Sequence, residues 1–222
     1  MIKISNLVYL YKNRKVVDIS KLIIKQGEKI AIVGLNGAGK TTLVEIILKL
    51  KKPYEGEVIF DRNYISNAVF QDSNFISDIN LREIFYLYCN LYSIKKSHFK
   101  YFQKFNLLDV ENNKFKNISG GQQQKFKFLI SLLNDPTLLV LDEISTSLDY
   151  IWRNKIVDII NQYLEIKKEI ILLLISHDPK EIASICNRVL FMKTGKIIID
   201  INLKGSYKQR QKDIERLMKE SV

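Results

Sequence analysis

Residues 29–43 read "KIAIVGLNGAGKTTL". The apolar run Ile30 to Val33 has the length and composition of a buried strand. Gly34 to Thr42 follow it with the spacing G-x-x-x-x-G-K-[ST]. Glycines at those places let the backbone wrap until its amides converge on a phosphate. Lys40 can then reach β- and γ-phosphates, and the Thr41 hydroxyl suits a magnesium ion. Asn36, Gly37, Ala38, Gly39, Lys40, Thr41 and Thr42 are therefore the expected nucleotide contacts. A helix is predicted from Lys40 to about Lys51.

A second segment supplies the acidic half of such a site. "LLVLDE", Leu138 to Glu143, reads as a buried strand ending in two carboxylates. Asp142 is placed to hold magnesium through water. Glu143 is placed to orient and deprotonate an attacking water. Read alone, the two acids cap a turn; read after a phosphate loop, they point to nucleotide hydrolysis. Kinases and GTPases share that much.

Outward from these segments, the first thirty residues alternate with period two and predict strands. "KPYEGEVIF" and "SNAVFQ" add a turn and two more. From about residue 73 the apolar spacing becomes helical, through "INLREIFYLYCNLYSI" and "HFKYFQKFNLL". A helix is expected from the glycines at 120–121 to about Asn134, and another over about 150–166. "EIILLLISH" is a second buried strand, "DPKEIASIC" begins a helix, and "RVLFMKTGKIIID" is a hairpin. A last helix from Tyr207 would carry Ile214, Leu217 and Met218 on one face. Strands alternating with helices imply an α/β fold with a mostly parallel core sheet, that of a P-loop NTPase. The expected organisation is one domain over 1–222. The core and an N-terminal antiparallel β subdomain occupy about 1–72 and 119–205, an inserted α-helical subdomain about 73–118, and a C-terminal helix about 206–222.

Bulk properties narrow the class. The chain has 222 residues, 46% of them hydrophobic, enough for a substantial core. Its longest strongly apolar run, Ile170 to Ile175, is far short of the roughly 20 residues that span a bilayer. The start lacks the apolar region and cleavage site of a signal peptide, so the expectation is a cytoplasmic chain. Cys89 and Cys186 are too few for a disulfide framework and are expected to be reduced. The net charge of +11 is spread along a lysine-rich chain. No nucleic-acid motif accompanies it, and no nucleic-acid partner is expected.

"ISGGQ", Ile118 to Gln122, opens a predicted helix, where free amides favour anions. Locally it reads as a serine N-cap with glycines. The ordered set of phosphate loop, "VFQ", helical segment, "ISGGQ" and "LLVLDE" resembles the ATP-binding cassette (ABC) ATPases, over about residues 2–200. The resemblance implies ATP and Mg2+ as ligands. It implies that Ser119, Gly120, Gly121 and Gln122 cap the ATP of a second, identical cassette in a head-to-tail pair. It also assigns Gln71 to magnesium and the attacking water, Asp149 to contact across the pair, and His177 to the γ-phosphate. Tyr11 resembles the aromatic residue that stacks on adenine, with Tyr9 as the neighbouring alternative. The expected catalytic set is Glu143, His177, Gln71 and Lys40; the expected metal set is Thr41, Gln71 and Asp142.

Some positions depart from the family pattern. Ile118 replaces leucine, and Ile144 replaces a proline after Glu143, which removes a fixed φ and loosens the expected loop. Ser147 and Tyr150 replace glycine and proline. Gln71 follows Lys40 by 31 positions, so a trimmed β subdomain is expected. The resemblance further implies the motor subunit of a transporter with separate polytopic membrane subunits, peripheral on the cytoplasmic membrane face. Export is the expected direction, from the likeness of "SDINLREIFYLYCNLYSI" to the helical insert of bacterial exporter cassettes and from the short stretch after "GKIII". Two other readings stay open: a soluble ABC ATPase, for example of cluster-assembly type, and a regulatory ATP-binding module with little turnover.

Overall fold

A computed structural model describes residues 1–70, 75 and 78–221. The strands are β1 (Ile2–Tyr11), β2 (Arg14–Ile24), β3 (Lys29–Val33), β4 (Glu55–Phe60), β5 (Ser66–Val69), β6 (Leu138–Asp142), β7 (Ile171–Ile175), β8 (Arg188–Lys193) and β9 (Lys196–Asn202). The helices are α1 (Lys40–Ile47), α2 (Leu81–Leu91), α3 (His98–Phe105), α4 (Gly120–Ser131), α5 (Tyr150–Ile166), α6 (Pro179–Ile185) and α7 (Tyr207–Ser221).

Two sheets form. One is antiparallel, in the order β2-β1-β4; the other has the order β5-β6-β7-β3-β8-β9. Its first five strands are parallel and β9 closes the edge antiparallel to β8. The central strands β3, β6 and β7 are apolar except at their ends, Lys29 and Asp142, because both faces are covered. Leu138, Val140, Ile171, Leu173 and Ile175 face a core shared with α1 and the antiparallel sheet. Leu139, Leu141, Leu172 and Leu174 face a second core, shared with the helices from α2 onward. Helix α1 is thus enclosed between two sheets, with Leu43, Val44, Ile46 and Ile47 all buried.

The second core is rich in rings. Phe85 of α2 meets Phe102 of α3 at 5.8 Å, and Phe102 meets Phe126 of α4 at 5.8 Å. Phe75 joins Phe126 at 5.4 Å and Phe115 at 5.2 Å. Most of these pairs are edge-to-face, the arrangement that ring quadrupoles favour. Helix α7 buries Ile214 completely and lays Leu217 and Met218 against the same core.

Two helices end earlier than their sequences suggest. Helix α1 stops at Ile47 rather than near Lys51. Lys49 adopts φ +60°, its N–H bonds the Ile46 carbonyl, and Leu50 N–H reaches back to Glu45. That is a Schellman stop, made here with lysine at the position where glycine is usual. Helix α4 stops at Ser131 rather than near Asn134, because Leu132 and Leu133 bond carbonyls three residues back and Asp135 turns to φ +51°. Among the described residues, no helix is long and apolar enough to cross a membrane.

Candidate active site

The parallel strands end at one edge of the sheet, and the turns leaving that edge carry most of the predicted residues. β3 leads into the loop 34–39, β6 into 143–149 and β7 into 176–178. Because β7 lies between β3 and β6, the turn bearing His177 stands between the phosphate loop and Glu143.

Backbone contacts fix the phosphate loop against its neighbours. Asp18 N–H donates to the Gly195 carbonyl at 2.8 Å, and Gly195 N–H donates to the Ala38 carbonyl at 3.0 Å. The β2 strand, the phosphate loop and the β8–β9 turn therefore meet at one point. Gly39 sits there with φ +97°, and a Cβ on it would lie 2.3 Å from the Val16 carbonyl oxygen. A Cβ on Gly195 would lie 2.7 Å from the same oxygen. Only glycine allows this approach.

Lys40, the first residue of α1, is 7% exposed. Its ammonium donates to the Gly34 carbonyl at 2.7 Å and the Leu35 carbonyl at 3.1 Å. Burial pulls its pKa down, and the carboxylates of Glu143 and Asp142 oppose that. The Thr41 hydroxyl donates to Asp142 Oδ2 at 3.0 Å. A hydroxyl beside a 5%-exposed carboxylate is a hard oxygen pair that suits Mg2+. No cluster of three or more His, Cys, Asp or Glu exists among the described residues. Mg2+ needs none, since it keeps several waters and takes one or two carboxylates plus phosphate oxygens.

Glu143 has φ +51°, an unfavourable conformation for a residue with a Cβ, costing about 1–3 kcal/mol. Its surroundings enforce it. Glu143 N–H donates to the Ile175 carbonyl at 2.9 Å, one step beyond β6, and the Thr146 hydroxyl donates to the Glu143 carbonyl at 2.9 Å. Ile144, which the sequence reading treats as loosening this loop, is wholly buried in the second core and anchors it. His177 Nε2 lies 3.5 Å from Glu143 Oε1. Burial and then the Lys40 charge lower the His177 pKa, against the pull of Glu143.

Two cavities flank the phosphate loop. One of about 260 Å³ is lined by Asn36, Gly37, Gly39, Lys40, Thr41, Thr42, Asp142 and Glu143. The other, of about 690 Å³, is bordered by Gly34 to Ala38, His177 and the hairpin residues Tyr11 to Val16 other than the two at its tip. Tyr11 is 60% exposed on this cavity, whereas Tyr9 packs against the first core with Lys51 over its ring. The structure thus separates the two tyrosines, and Tyr11 is the one beside the loop.

Ser119, Gly120, Gly121 and Gln122 line neither cavity. Ser119 and Gln122 form a reciprocal cap at the start of α4, with Ser119 N–H to Gln122 Oε1 at 2.9 Å and Gln122 N–H to Ser119 Oγ at 3.3 Å. Gly120 faces open space. Asp149 caps α5 by accepting from Trp152 N–H at 2.9 Å and borders neither cavity. Gln71 lies outside the described residues.

Motif reading misses several groups here. Val16 and Gly195 shape the loop through a carbonyl and a missing side chain, and neither announces itself in a sequence. Lys125 of α4 is buried with its ammonium 3.6 Å from the Trp152 ring centre, and Lys155 lies on the same ring at 4.3 Å. Glu181 looks like an ordinary acid in the first turn of a helix, yet it is 4% exposed. Together the arrangement gathers one cation, a magnesium-type oxygen pair, a carboxylate and an imidazole at the mouth of a phosphate-shaped loop.

A family model described as ABC transporter matches residues 17–146. The chain is 29% identical over 202 residues to an uncharacterized ABC transporter ATP-binding protein of Methanocaldococcus jannaschii, spanning 89% of this chain and 76% of that one. It is 32% identical over 217 residues to the zinc import ATP-binding protein ZnuC of Wolbachia sp. subsp. Brugia malayi, spanning 91% and 87%. Among solved structures, it superposes with a TM-score of 0.82 and 26% identity on the ATP-binding cassette MJ0796 in a dimeric post-hydrolysis state bound to ADP and Pi. That match spans 93% of this chain and 100% of the other.

Proposed function

Because the chain belongs to the ABC transporter family of ATP-binding proteins, we propose that it is the motor subunit of a transporter and works as a head-to-tail pair with separate membrane subunits. ATP binding and ABC-type ATP hydrolysis follow from the family and from the cassette it superposes on. The observation that carries the pairing is the separation of two half-sites. Lys40, Thr41, Asp142, Glu143 and His177 converge, while residues 119–122 line neither cavity beside them. A phosphate held by the loop would be capped by Ser119 and the following amides of a second copy. Asp149, at the start of α5, would face across the same junction.

In this reading Tyr11 stacks on adenine, and Lys40 exchanges a loop carbonyl for phosphate oxygens. Thr41 and Asp142, with Gln71, would hold Mg2+, which would neutralise phosphate charge. A water attacks the γ-phosphorus in line with the ADP leaving oxygen, and its proton passes to the Glu143 carboxylate. His177 donates to the γ-phosphate. Loss of the γ-phosphate removes the bridge between the copies, and the pair opens against its membrane partners on the cytoplasmic face.

Replacing Glu143 with Gln tests this. Expected are turnover at least about 100-fold slower and an ATP-held dimer on a sizing column, while Lys40→Ala remains monomeric. Wild-type turnover in Glu143→Gln would remove the catalytic assignment. The direction of transport rests on the likeness of residues 77–94 to exporter cassettes, whereas one relative is named for zinc import. Co-purification from native membranes, followed by efflux and uptake assays in vesicles, decides it.

A further inference from the structure

Glu181 lies behind the site, on the first turn of α6, and is 4% exposed. Its Oε2 accepts from the Ser176 hydroxyl at 2.5 Å. The same hydroxyl oxygen accepts from Asp178 N–H at 3.1 Å. Ser176, itself 3% exposed, is thus held from both sides, and His177 is the residue between its two anchors. Among the described residues, Glu181 Oε1 has no hydrogen-bond partner. Burial pushes this carboxyl's pKa up; Ser176, Ser145 and Arg153 favour its charged form and Asp178 opposes it. Burying a carboxyl group whose Oε1 finds no hydrogen bond among the described residues costs stability, so packing alone gives no reason for it. Its position does. The turn it pins leaves β7 at Ile175, whose carbonyl accepts from Glu143 N–H.

We infer that Glu181 is a positioning residue: through the Ser176 hydroxyl it fixes the 176–178 turn and so aims the His177 ring at Glu143 and the reacting phosphate. This rests on the reading that Glu143 and His177 act at the γ-phosphate. The 3.5 Å between His177 and Glu143 is set by a turn of three residues. Displacing a reacting group by about 1 Å can cost 100-fold in rate. Without the carboxylate, the Ser176 hydroxyl loses its acceptor and the turn loses one of its two anchors.

The test uses the full chain with Glu181→Ala, Glu181→Gln, Ser176→Ala and the Glu181→Ala/Ser176→Ala double variant. Turnover and ATP affinity are measured for each, with nitrogen-15 spectra of the imidazole rings. The chain has two histidines. His98, held by Glu111 at 3.0 Å and by the Tyr86 hydroxyl at 2.8 Å, is the internal reference. Glu181→Ala is expected to lower kcat at least about tenfold with ATP affinity within about twofold, and to move the His177 ring signals while His98 stays. Ser176→Ala, which also removes the acceptor of Asp178 N–H, should lose at least as much, the double variant should be no worse than Ser176→Ala alone, and Gln should restore most of the loss by offering an amide oxygen to Ser176. Unmoved His177 signals, multiplying losses in the double variant, or both histidines shifting with a fallen melting temperature would each overturn the inference. If Glu181→Ala does not fold, Glu181→Gln and Ser176→Ala carry the same comparison. Unimpaired turnover in Glu143→Gln would sink the catalytic reading, while the histidine spectra would still report on whether Glu181 places His177.

Discussion

At the carboxyl edge of the sheet, Lys40, Thr41, Asp142, Glu143 and His177 are held by hydrogen bonds to backbone and to polar side chains, whereas across α2, α3 and α4 Phe85, Phe102 and Phe126 are held by one another. The first region keeps polar groups close together on a backbone bent to φ +51° at Glu143. The second removes large apolar surfaces from water, and its left-handed residues, Ser93 and Asn106, lie in the turns after α2 and α3 rather than among the rings. Stability should therefore be concentrated in the rings and activity in the edge, with little exchange between them.

The largest effect that would sharpen this contrast is expected at Phe102, which is fully buried among three rings. Phe102→Ala should lower unfolding stability by about 3–5 kcal/mol in urea titrations, yet leave ATP affinity within about twofold wherever the protein remains folded. A large loss of ATP affinity in the folded variant would break the division. Lys40→Ala is the reverse case. It removes a charged donor worth about 1.5–3 kcal/mol per hydrogen bond, so ATP affinity should fall at least about 100-fold in calorimetric titration. Its urea midpoint should move little. Gly39→Ala should behave similarly, since its Cβ has no room beside the Val16 carbonyl, but with a measurable stability loss of about 1–3 kcal/mol from strain.

The smallest effect lies where the two regions join. Lys125 extends from α4 under Trp152 of α5, three positions after the Asp149 cap. A desolvated ammonium over an indole gains about 2 kcal/mol, and burial of the charge offsets part of that, as the lowered Lys125 pKa reflects. Lys125→Met should cost about 1 kcal/mol in a urea titration. Hydrogen exchange should quicken at the start of α5 and leave the Phe85–Phe102 pair unchanged.

Sequence carried the edge better than the layer behind it. The pattern 34–42 and the acids at 142–143 are contiguous, so their spacing alone brings Lys40, Thr41 and Asp142 into one place once the strands are parallel. The helix read over about 150–166 is Tyr150–Ile166, because its apolar period and its Asp cap agree. The α1 stop was illegible: a lysine takes the left-handed position at Lys49, and no glycine marks it. Glu181 and Lys125 were illegible for a different reason. Charged residues on helices are ordinarily solvated, and only tertiary packing buries these two. Tyr11 and Tyr9 differ by two positions on one strand, so their division depended on the twist and bulge of β1, which no periodicity encodes.

The leucine-rich β6 has a further consequence. Leu138, Leu139, Val140 and Leu141 are apolar on both faces, so sliding the strand by one residue against β7 exchanges leucine for leucine or valine and barely changes either core. Such a strand does not choose its own alignment by hydrophobicity. The choice falls to its polar end. A slip would draw Glu143 into an extended position inside the sheet, break its N–H bond to Ile175 and separate Asp142 from Thr41. The residues that end the strand thus also mark its alignment.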